Sequence, residues 1–318
     1  MRYLVTGGAG FIGSNIVEEL IRRNETVRVL DNFSTGKEEN LSAFAGKFEL
    51  LRGDLRDYGL VQQAVDGMDV VLHQAALPSV PRSVKDPISS NEVNVTGTLN
   101  ILQTSKDAGV RRVVYASSSS VYGDNPELPK HEGMIPNPLS PYAVSKLAAE
   151  KYAVVFSRLY GLETVVLRYF NVFGPRQDPT SQYSAVIPKF IDAILKDERP
   201  AIYGDGEQSR DFNYISNVVE ANLLAATCDG PFGAVMNCAS GTRITLNQLC
   251  EKLNALLGKS IKPMYGEPRK GDIKHSLASI ELAKRTMGYE PFLQLDDGLK
   301  KTIEWYAKHR DGVIDWSE

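Results

Sequence analysis

The sequence contains few residues that could form disulfides or bind a metal. It has 3 cysteines and 4 histidines among 318 residues. Cys228, Cys238 and Cys250 are too few and too irregularly spaced for a disulfide framework or a zinc site, and the histidines are scattered. We therefore expect reduced thiols and no bound metal.

Strong charge of one sign and long apolar runs are missing as well. The net charge is -3 and the basic residues are spread along the chain, which gives no electrostatic footprint for nucleic acid or an anionic membrane. No run approaches the roughly 20 apolar residues of a membrane-spanning helix. The start "MRYLVTGGAGFIG" reaches glycine too soon for the apolar core of a signal peptide. We expect a soluble, cytoplasmic protein whose partners are small molecules, with no nucleic acid and no membrane.

What the sequence does contain is a regular alternation of short β-branched runs with helical patterns. The runs begin at Arg2, Thr26, Phe48, Asp69, Arg112 and Glu163. Runs that are apolar on both faces and alternate with helices are typical of a parallel sheet covered on both sides, so we predict a doubly wound parallel α/β (Rossmann) sheet. Pro- and Gly-rich connections after about Arg168 indicate a smaller mixed α/β C-terminal domain. We place the first domain at 1–170 with a return near 213–241, and the second at 171–212 and 242–318.

Glycines follow the first of these runs. The strand "YLVTG" leads into Gly7, Gly10 and Gly13, and a helix is predicted to begin near Phe11. Glycine permits a tight turn and a close approach of the backbone to a pyrophosphate, whose charge then lies at the helix N-terminus. A glycine-rich string is weak evidence alone, but here it lies in the strand-turn-helix context that dinucleotide binding requires.

An acidic residue follows at the expected distance. The second run ends in Asp31, about 20 residues after the glycines, where a carboxylate can accept hydrogen bonds from both ribose hydroxyls of the adenosine half. The same carboxylate would repel a 2′-phosphate, so we predict NAD in preference to NADP. The alternative is a turn aspartate without a ligand. Asp54, at the end of the third run, is a weaker candidate for a contact with the adenine.

The stretch "SPYAVSKLAAEKY" places Tyr142 four residues before Lys146 on one helical face. A phenol beside a fixed cation is easier to ionise. Taken alone, the pair is more often a solvated face with an extended lysine. The serines of "ASSSSVYG" would lie at the carboxyl edge of the sheet, where they are either a polar strand end or hydrogen-bond partners of a ligand.

Together these motifs resemble the extended short-chain dehydrogenase/reductase family, whose loop spacing is Gly-x-x-Gly-x-x-Gly. The stretches "TGGAGFIGS", "LDNFSTG", "RYFNVFGP", "GDGEQSRDF" and "RKGDIKHS" are similar to those of nucleotide-sugar 4-epimerases of the UDP-galactose 4-epimerase group. The resemblance covers nearly the whole chain. It implies an isomerase with tightly bound NAD.

The resemblance also implies roles for individual residues. Ser118 takes the position of the catalytic serine, Tyr142 that of the general base, and Lys146 that of the residue that holds the nicotinamide ribose and lowers the phenol pKa. The implied NAD contacts are Gly7, Gly10, Phe11, Ile12, Gly13, Asp31, Asn32, Ser34, Thr35, Gly36, Asp54, Leu55, Gln74, Ala75, Ala76, Asn94, Tyr142, Lys146 and Tyr169. The implied substrate contacts are Pro78, Ser118, Ser119, Tyr142, Asn171, Val186, Tyr203, Arg210, Arg269, Asp272 and Ser276.

The resemblance separates the reactions of the family by their extra groups. A 4,6-dehydratase carries an Asp-Glu pair close after its catalytic threonine, where this chain has Ser119 and Ser120, so dehydration is disfavoured. An enzyme acting on a uronic acid needs a cation for the C6 carboxylate. Arg82 is the candidate, and a loop arginine facing solvent or phosphate is an equal alternative.

Ser276 stands where members restricted to glucose and galactose carry a bulky aromatic residue. A small residue leaves room for an acetamido group, so we predict interconversion of UDP-N-acetylglucosamine and UDP-N-acetylgalactosamine, and weaker action on UDP-glucose and UDP-galactose. The alternatives are a UDP-glucuronate 4-epimerase, another nucleotide-sugar epimerase or dehydratase, and a non-catalytic NAD-binding regulator.

Two further expectations concern helices. The resemblance implies a homodimer formed through a four-helix contact between residues 91–108 and 141–160. Asn217 stands where family members commonly carry aspartate, and we expect it to help fix the start of the following helix, because asparagine caps helices about as well as aspartate does.

Overall fold

The computed structural model describes residues 1–178, 185–268 and 273–309. The strands of these residues are β1 (Arg2–Thr6), β2 (Thr26–Asp31), β3 (Glu49–Arg52), β4 (Val70–His73), β5 (Arg112–Ser118), β6 (Glu163–Tyr169), β7 (Val172–Phe173), β8 (Ala201–Tyr203), β9 (Ser209–Arg210), β10 (Asn213–Tyr214), β11 (Ala234–Cys238), β12 (Ile244–Thr245) and β13 (Met264–Gly266).

The helices are α1 (Phe11–Arg22), α2 (Glu39–Ser42), α3 (Tyr58–Val65), α4 (Val80–Lys85), α5 (Pro87–Asn91), α6 (Gly97–Asp107), α7 (Pro141–Tyr160), α8 (Val186–Leu195), α9 (Ile215–Thr227), α10 (Leu246–Leu257), α11 (Glu281–Met287) and α12 (Leu295–Lys308). A π-helical turn (Glu92–Thr96) precedes α6, and a 3₁₀ turn (Ser119–Tyr122) follows β5. No helix within the described ranges is both long enough and apolar enough to cross a membrane.

A parallel sheet of seven strands organises the molecule, in the order β11-β6-β5-β4-β1-β2-β3. Successive residues of its central strand enter opposite core layers. Val5 packs in the layer that contains α1 and α9, and Leu4 packs in the layer that contains α3, α6 and α7. Both faces of the sheet are therefore covered, which explains why β4, β5 and β6 are almost entirely buried, whereas β3 at the edge is mostly exposed. The predicted doubly wound α/β fold is confirmed.

The strand order reverses between β1 and β4, and this reversal creates the crevice in which ligands of open α/β sheets bind. Gly7 follows the end of β1 and Gln74 follows the end of β4, so both lie at this crevice. Chain segments that are far apart in the sequence therefore meet at one edge of the sheet.

The chain beyond β6 forms three small two-stranded pairings, β10-β7, β12-β9 and β13-β8. In between, α9 packs on the main sheet and β11 joins it beside β6. These elements lie within the segment for which a return to the first domain was predicted. The division of the chain at residues 170, 213 and 241 stays a prediction. The three cysteines are free thiols.

The expected role of Asn217 is wrong. Helix α9 begins at Ile215, so Asn217 lies inside its first turn and is fully buried. Its Oδ1 accepts from the Leu293 N–H at 3.0 Å and its Nδ2 donates to the Leu293 carbonyl at 2.9 Å. The amide thus connects the segment before α12 to α9 through two hydrogen bonds. An aspartate has no N–H to donate and could not make both bonds.

Candidate active site

The glycine loop is packed too tightly for side chains. Gly7 has a φ of 68°, and a Cβ there would lie 2.8 Å from the backbone of Ala75. A Cβ on Gly13 would lie 2.1 Å from the carbonyl oxygen of Gly7. Gly10 is the N-cap of α1, and no side chain caps this helix. The first N–H groups of α1 are therefore available to an anion, which fits the pyrophosphate of a dinucleotide.

A cleft of about 740 Å³ extends from this loop. All residues implied as NAD contacts line it except Asn94. Asn94 is buried, and its side chain accepts from Leu77 N–H at 2.7 Å and donates to Ser145 Oγ at 3.0 Å. It therefore supports the wall of the cleft from behind. The individual contacts with NAD stay predictions.

The two acidic residues of the cleft are both oriented by hydrogen bonds. In Asp31, Oδ2 accepts from Ala9 N–H at 2.9 Å and Oδ1 accepts from Phe33 N–H at 2.8 Å. Each carboxylate oxygen can accept a further bond, so the side chain keeps capacity for ribose hydroxyls. In Asp54, hydrogen bonds from Arg56 are the main reason that the pKa lies at about 2. Arg56 also lines the cleft.

The tyrosine and lysine pair lies at the floor of the same cleft. Helix α7 begins at Pro141 after Ser140, whose Oγ accepts from the Ala143 N–H at 3.2 Å. Tyr142 lies in the first turn, one turn before Lys146, and both line the cleft. The Lys146 Nζ donates to the carbonyl of Ala116 at 2.9 Å. The predicted helix and the shared face of the pair are present.

Two neighbours fix the surroundings of the pair. The Tyr142 N–H donates to Ser83 Oγ at 3.0 Å, which ties α7 to α4. The Lys146 Nζ lies 5.2 Å from the centroid of the Tyr115 ring, within the range of a cation–π contact. Because Lys146 makes one bond to a carbonyl and faces one ring, it retains a donor for the cleft.

Burial shifts the pKa values of both Tyr142 and Lys146. Burial lowers the pKa of Lys146 to about 7. Burial also raises the pKa of Tyr142, and the hydrogen bond with the Ser118 hydroxyl opposes this only in part. The implied lowering of the phenol pKa by Lys146 stays a prediction, because it concerns the protein with NAD bound. The positive charge of the nicotinamide ring would act in the same direction as Lys146.

Charges beneath the cleft are paired or absent. Glu150 is fully buried, accepts from Ser117 Oγ at 2.9 Å, and pairs with Arg168 at 2.6 Å. Burial lowers the pKa of His73 to about 3, so its imidazole is neutral. Lys146 is consequently the main cationic group at this end of the cleft floor. Ser118, at the end of β5, accepts from the N–H of Ser120 and so caps the 3₁₀ turn that begins at Ser119.

A second cleft of about 340 Å³ lies among the elements that follow β6. It is lined by four of the implied substrate contacts, Asn171, Val186, Tyr203 and Arg210. Pro78, another of them, lines the first cleft, and Ser119 begins the 3₁₀ turn. Ser276 lies beside β9, where its N–H donates to the Ser209 carbonyl at 3.0 Å. Arg269 and Asp272 lie outside the described residues.

Comparison with known proteins gives the family. The model of the NAD dependent epimerase/dehydratase family matches residues 3–239. The chain belongs to this family. A putative UDP-glucose 4-epimerase of Methanocaldococcus jannaschii is 40% identical over 304 residues, which cover 95% of this chain and 97% of that protein.

Solved structures agree with this assignment. A UDP-N-acetylglucosamine 4-epimerase from Methanobrevibacter ruminantium, in complex with UDP-N-acetylmuramic acid, is 43% identical, has a TM-score of 0.93, and is matched over 97% of this chain and 98% of that one. A Thermus thermophilus UDP-glucose 4-epimerase in complex with NAD is 38% identical with a TM-score of 0.88, over 96% of this chain and 99% of that one. These findings confirm the predicted family, its NAD cofactor, and an isomerase of the nucleotide-sugar 4-epimerase class.

The sequence did not indicate every residue of this site. Ser83 and Asp178 were missed, although one contacts Tyr142 and the other lines the cleft. Each takes part in the site through contacts with segments that are distant in the sequence, Ser83 with Tyr142 and Asp178 with Lys37. Ser79 could have been recognised from the sequence as a helix N-cap, and it caps α4 by accepting from the Arg82 N–H.

We expect Asp31→Ser to weaken NAD binding by about tenfold or more, because it removes a charged acceptor for ribose hydroxyls. The preference for NAD over NADP should shrink at the same time. Titration with each cofactor measures both effects. Asp66→Ser removes an exposed carboxylate from the same domain and should leave both affinities unchanged. Equal affinity of the unaltered protein for NAD and NADP would contradict the role of Asp31.

Lys146→Met should reduce turnover by about a hundredfold or more, and yet leave the unfolding temperature unchanged or raised. The cause is the cost of burying an ammonium group. Folded Lys146 releases its proton near pH 7, whereas the unfolded residue keeps its proton up to about pH 10.4. The unfolding free energy of the unaltered protein should therefore rise relative to the variant between pH 7 and 9.

Chemical denaturation at several pH values measures this difference. Lys151→Met is the matched control, because Lys151 is on the same helix and its side chain is 60% exposed. The same pH dependence in both variants would show that Lys146 is not the group that titrates.

Proposed function

We propose that the protein interconverts UDP-N-acetylglucosamine and UDP-N-acetylgalactosamine at C4, and acts more weakly on UDP-glucose and UDP-galactose. The observation that carries this proposal is the position of Ser276, a small residue whose N–H donates to the Ser209 carbonyl, next to Arg210, which lines the second cleft. A small side chain leaves space for an acetamido group. The identity of 43% with a UDP-N-acetylglucosamine 4-epimerase supports the same choice.

The protein's own groups have distinct tasks in this reaction. Tyr142 accepts the proton of the sugar 4-hydroxyl, and the Ser118 hydroxyl, bonded to the same phenol, orients it. Lys146 holds the cofactor ribose and keeps a positive charge beside the phenolate. Bound NAD supplies a hydride acceptor and then a hydride donor for C4. A transient 4-keto sugar would form and turn over in the cleft, so that C4 takes back the hydride on its opposite face and O4 takes back the proton from Tyr142.

The residues after Ser118 favour epimerisation over dehydration. Ser119 and Ser120 form the 3₁₀ turn at the end of β5, where a dehydratase of this family carries an acid and a base. Hydroxyl groups of ordinary acidity cannot remove a proton from C5 and protonate the leaving C6 hydroxyl.

Arg82 favours a second candidate, epimerisation of UDP-glucuronate. Its side chain lines the first cleft, and it belongs to α4, which contacts Tyr142 through Ser83. A guanidinium group there is suited to a C6 carboxylate.

The test is incubation of the purified protein with each UDP-sugar and no added nucleotide, followed by chromatographic separation of the C4 epimers. We expect the highest kcat/KM with UDP-N-acetylglucosamine and no net NADH. Ser276→Tyr should reduce this value by about tenfold or more and spare UDP-glucose, because the ring would occupy the acetamido space. Ser42→Tyr is a matched control at an exposed position of α2 that lines neither cleft.

Several outcomes would contradict the proposal. Preferred turnover of UDP-glucuronate would favour the second candidate, and loss of that turnover in Arg82→Met would confirm it. Net NADH or a 4-keto product would indicate a dehydrogenase or a dehydratase. Unchanged N-acetyl activity in Ser276→Tyr would remove Ser276 from the specificity pocket.

We also infer a homodimer. Helix α7 exposes a row of apolar side chains at helical spacing, namely Val144, Tyr152, Val155 and Leu159. The neighbouring helices α4 and α5 expose Val84 and Ile88. Exposed apolar side chains on adjacent helices are suited to a helical interface with a second copy. The predicted contribution of residues 91–108 to this interface stays a prediction.

Light scattering should give the mass of two chains. Val155→Glu with Leu159→Glu should give the mass of one chain, because it places charges in the interface. Lys301→Glu, a charge change at an exposed position of α12, should leave the dimer intact. A monomeric unaltered protein would contradict the inference.

A further inference from the structure

Residues 273–279 form an extended segment, here called the strap, that carries Ser276. The strap runs parallel to β9, with Ser209 opposite His275. The Ser209 N–H donates to the Lys274 carbonyl at 2.9 Å, and the Ser276 N–H donates to the Ser209 carbonyl at 3.0 Å. Arg210 Nη1 also donates to the Lys274 carbonyl at 3.2 Å. Ser276 and Arg210, both implied substrate contacts, are thus connected through the same backbone.

The strap is held from behind by one carboxylate. Asp211, the last residue before Phe212 enters the second cleft wall, is fully buried. Its Oδ2 accepts from the N–H of Ala278 at 3.1 Å and of Gly241 at 3.1 Å. Its Oδ1 accepts from the N–H and hydroxyl of Ser240 at 2.8 and 2.7 Å. All four donors are neutral.

Burying a carboxylate whose hydrogen-bond donors are all neutral is unfavourable for folding. Burial raises the pKa of Asp211 to about 6, so the group is still ionised at neutral pH. An ionised acceptor makes hydrogen bonds roughly twice as strong as a neutral one. Asp211 therefore holds three separate backbone donors more firmly than an amide or a hydroxyl would.

The other edge of the strap is joined to the catalytic end of the sheet. The Lys130 N–H donates to the Leu277 carbonyl at 2.7 Å, and the Ser279 N–H donates to the Lys130 carbonyl at 2.9 Å. Asn237 donates to the Lys130 and Ser279 carbonyls and accepts from the Tyr122 hydroxyl at 2.7 Å. Tyr122 is the last residue of the 3₁₀ turn that Ser118 caps. The strap consequently connects Arg210 on one side with the 3₁₀ turn after Ser118 on the other.

We propose that Asp211 is a positioning residue for the sugar pocket, which holds the strap against β9 and so fixes Ser276 relative to Arg210. The identity of the sugar in this inference rests on the proposed function. Asp211 does not contact the substrate and acts through the strap. Removing the Asp211 side chain should therefore lower the affinity for the UDP part of the substrate and reduce the selectivity between sugars. The rate of the chemical step at Tyr142 should be preserved.

The experiment compares Asp211→Ala and Asp211→Asn with the unaltered holoenzyme. We expect the dissociation constant for UDP, measured by calorimetry, to rise about tenfold or more in Asp211→Ala and less in Asp211→Asn, because asparagine retains one acceptor. Amide hydrogen exchange in 273–279 should become faster in the same order. KM should rise for each UDP-sugar with kcat nearly unchanged, and the ratio of N-acetylated to plain hexose activity should fall.

Ser209→Ala is the matched control. It removes the 2.9 Å contact of Ser209 Oγ with His275 Nδ1 and keeps the backbone bonds of the strap. It should change UDP affinity by less than about twofold, since this contact is partly exposed to water. If Asp211→Ala does not fold, Ala278→Gly provides the answer. Glycine at the strap residue that donates to Asp211 loosens the strap, and should raise the UDP dissociation constant about two- to fivefold.

Wild-type UDP affinity and strap exchange in the Asp211 variants would overturn the inference. So would wild-type UDP affinity in Ala278→Gly where the Asp211 variants do not fold. A fall in kcat with unchanged KM would also overturn it, because it would place Asp211 in the chemistry. If UDP binding responds as expected but no UDP-hexose is epimerised, the strap is supported and the proposed function is wrong.

Discussion

The hydrogen bond from the Lys146 ammonium to the carbonyl of Ala116 joins α7 to the carboxyl end of β5. This contact places Tyr142 and Lys146 over the crevice where the strand order reverses. It also buries an amine whose pKa is thereby lowered to about 7. Burial of this kind is unfavourable for folding, and the surrounding packing of α7 on the sheet offsets it.

The rest of the site follows from that placement. The loop at Gly7 can approach the backbone of Ala75, just after β4, because Gly7 has no Cβ, and the cleft extends from this loop to the α7 pair. The ion pair between Glu150 on α7 and Arg168 on β6 carries no net charge. When Lys146 is protonated, its charge is therefore not opposed by this buried pair at the floor of the cleft.

The sequence contained most of the cofactor half of the site, because its determinants are local. The spacing of Gly7, Gly10 and Gly13, an acidic residue at the end of the second strand, and a Tyr/Lys pair within one helix can each be recognised within a short window. The family resemblance then supplied their roles. The direction of the Tyr142 pKa shift could not be inferred, because it depends on how much of the fold covers the phenol.

The determinants that were missed are contacts between distant segments. Ser83 meets Tyr142, Asn217 meets Leu293, and Asp211 meets Ala278, and none of these pairs is coupled by periodicity or by a local motif. Asn217 was misassigned for this reason. A capping residue and a clip between segments have the same local sequence, and only the position of residue 293 distinguishes them.

Placement of β11 beside β6 has a consequence for how the chain is made. Six strands of the sheet are complete by residue 169, but the seventh is not synthesised until residues 234–238. Until then β6, whose residues are almost all buried in the finished sheet, is an apolar edge with unpaired backbone groups. Such edges are templates for association with other chains. The emerging protein is therefore most vulnerable to aggregation while the part that forms the second cleft is being synthesised.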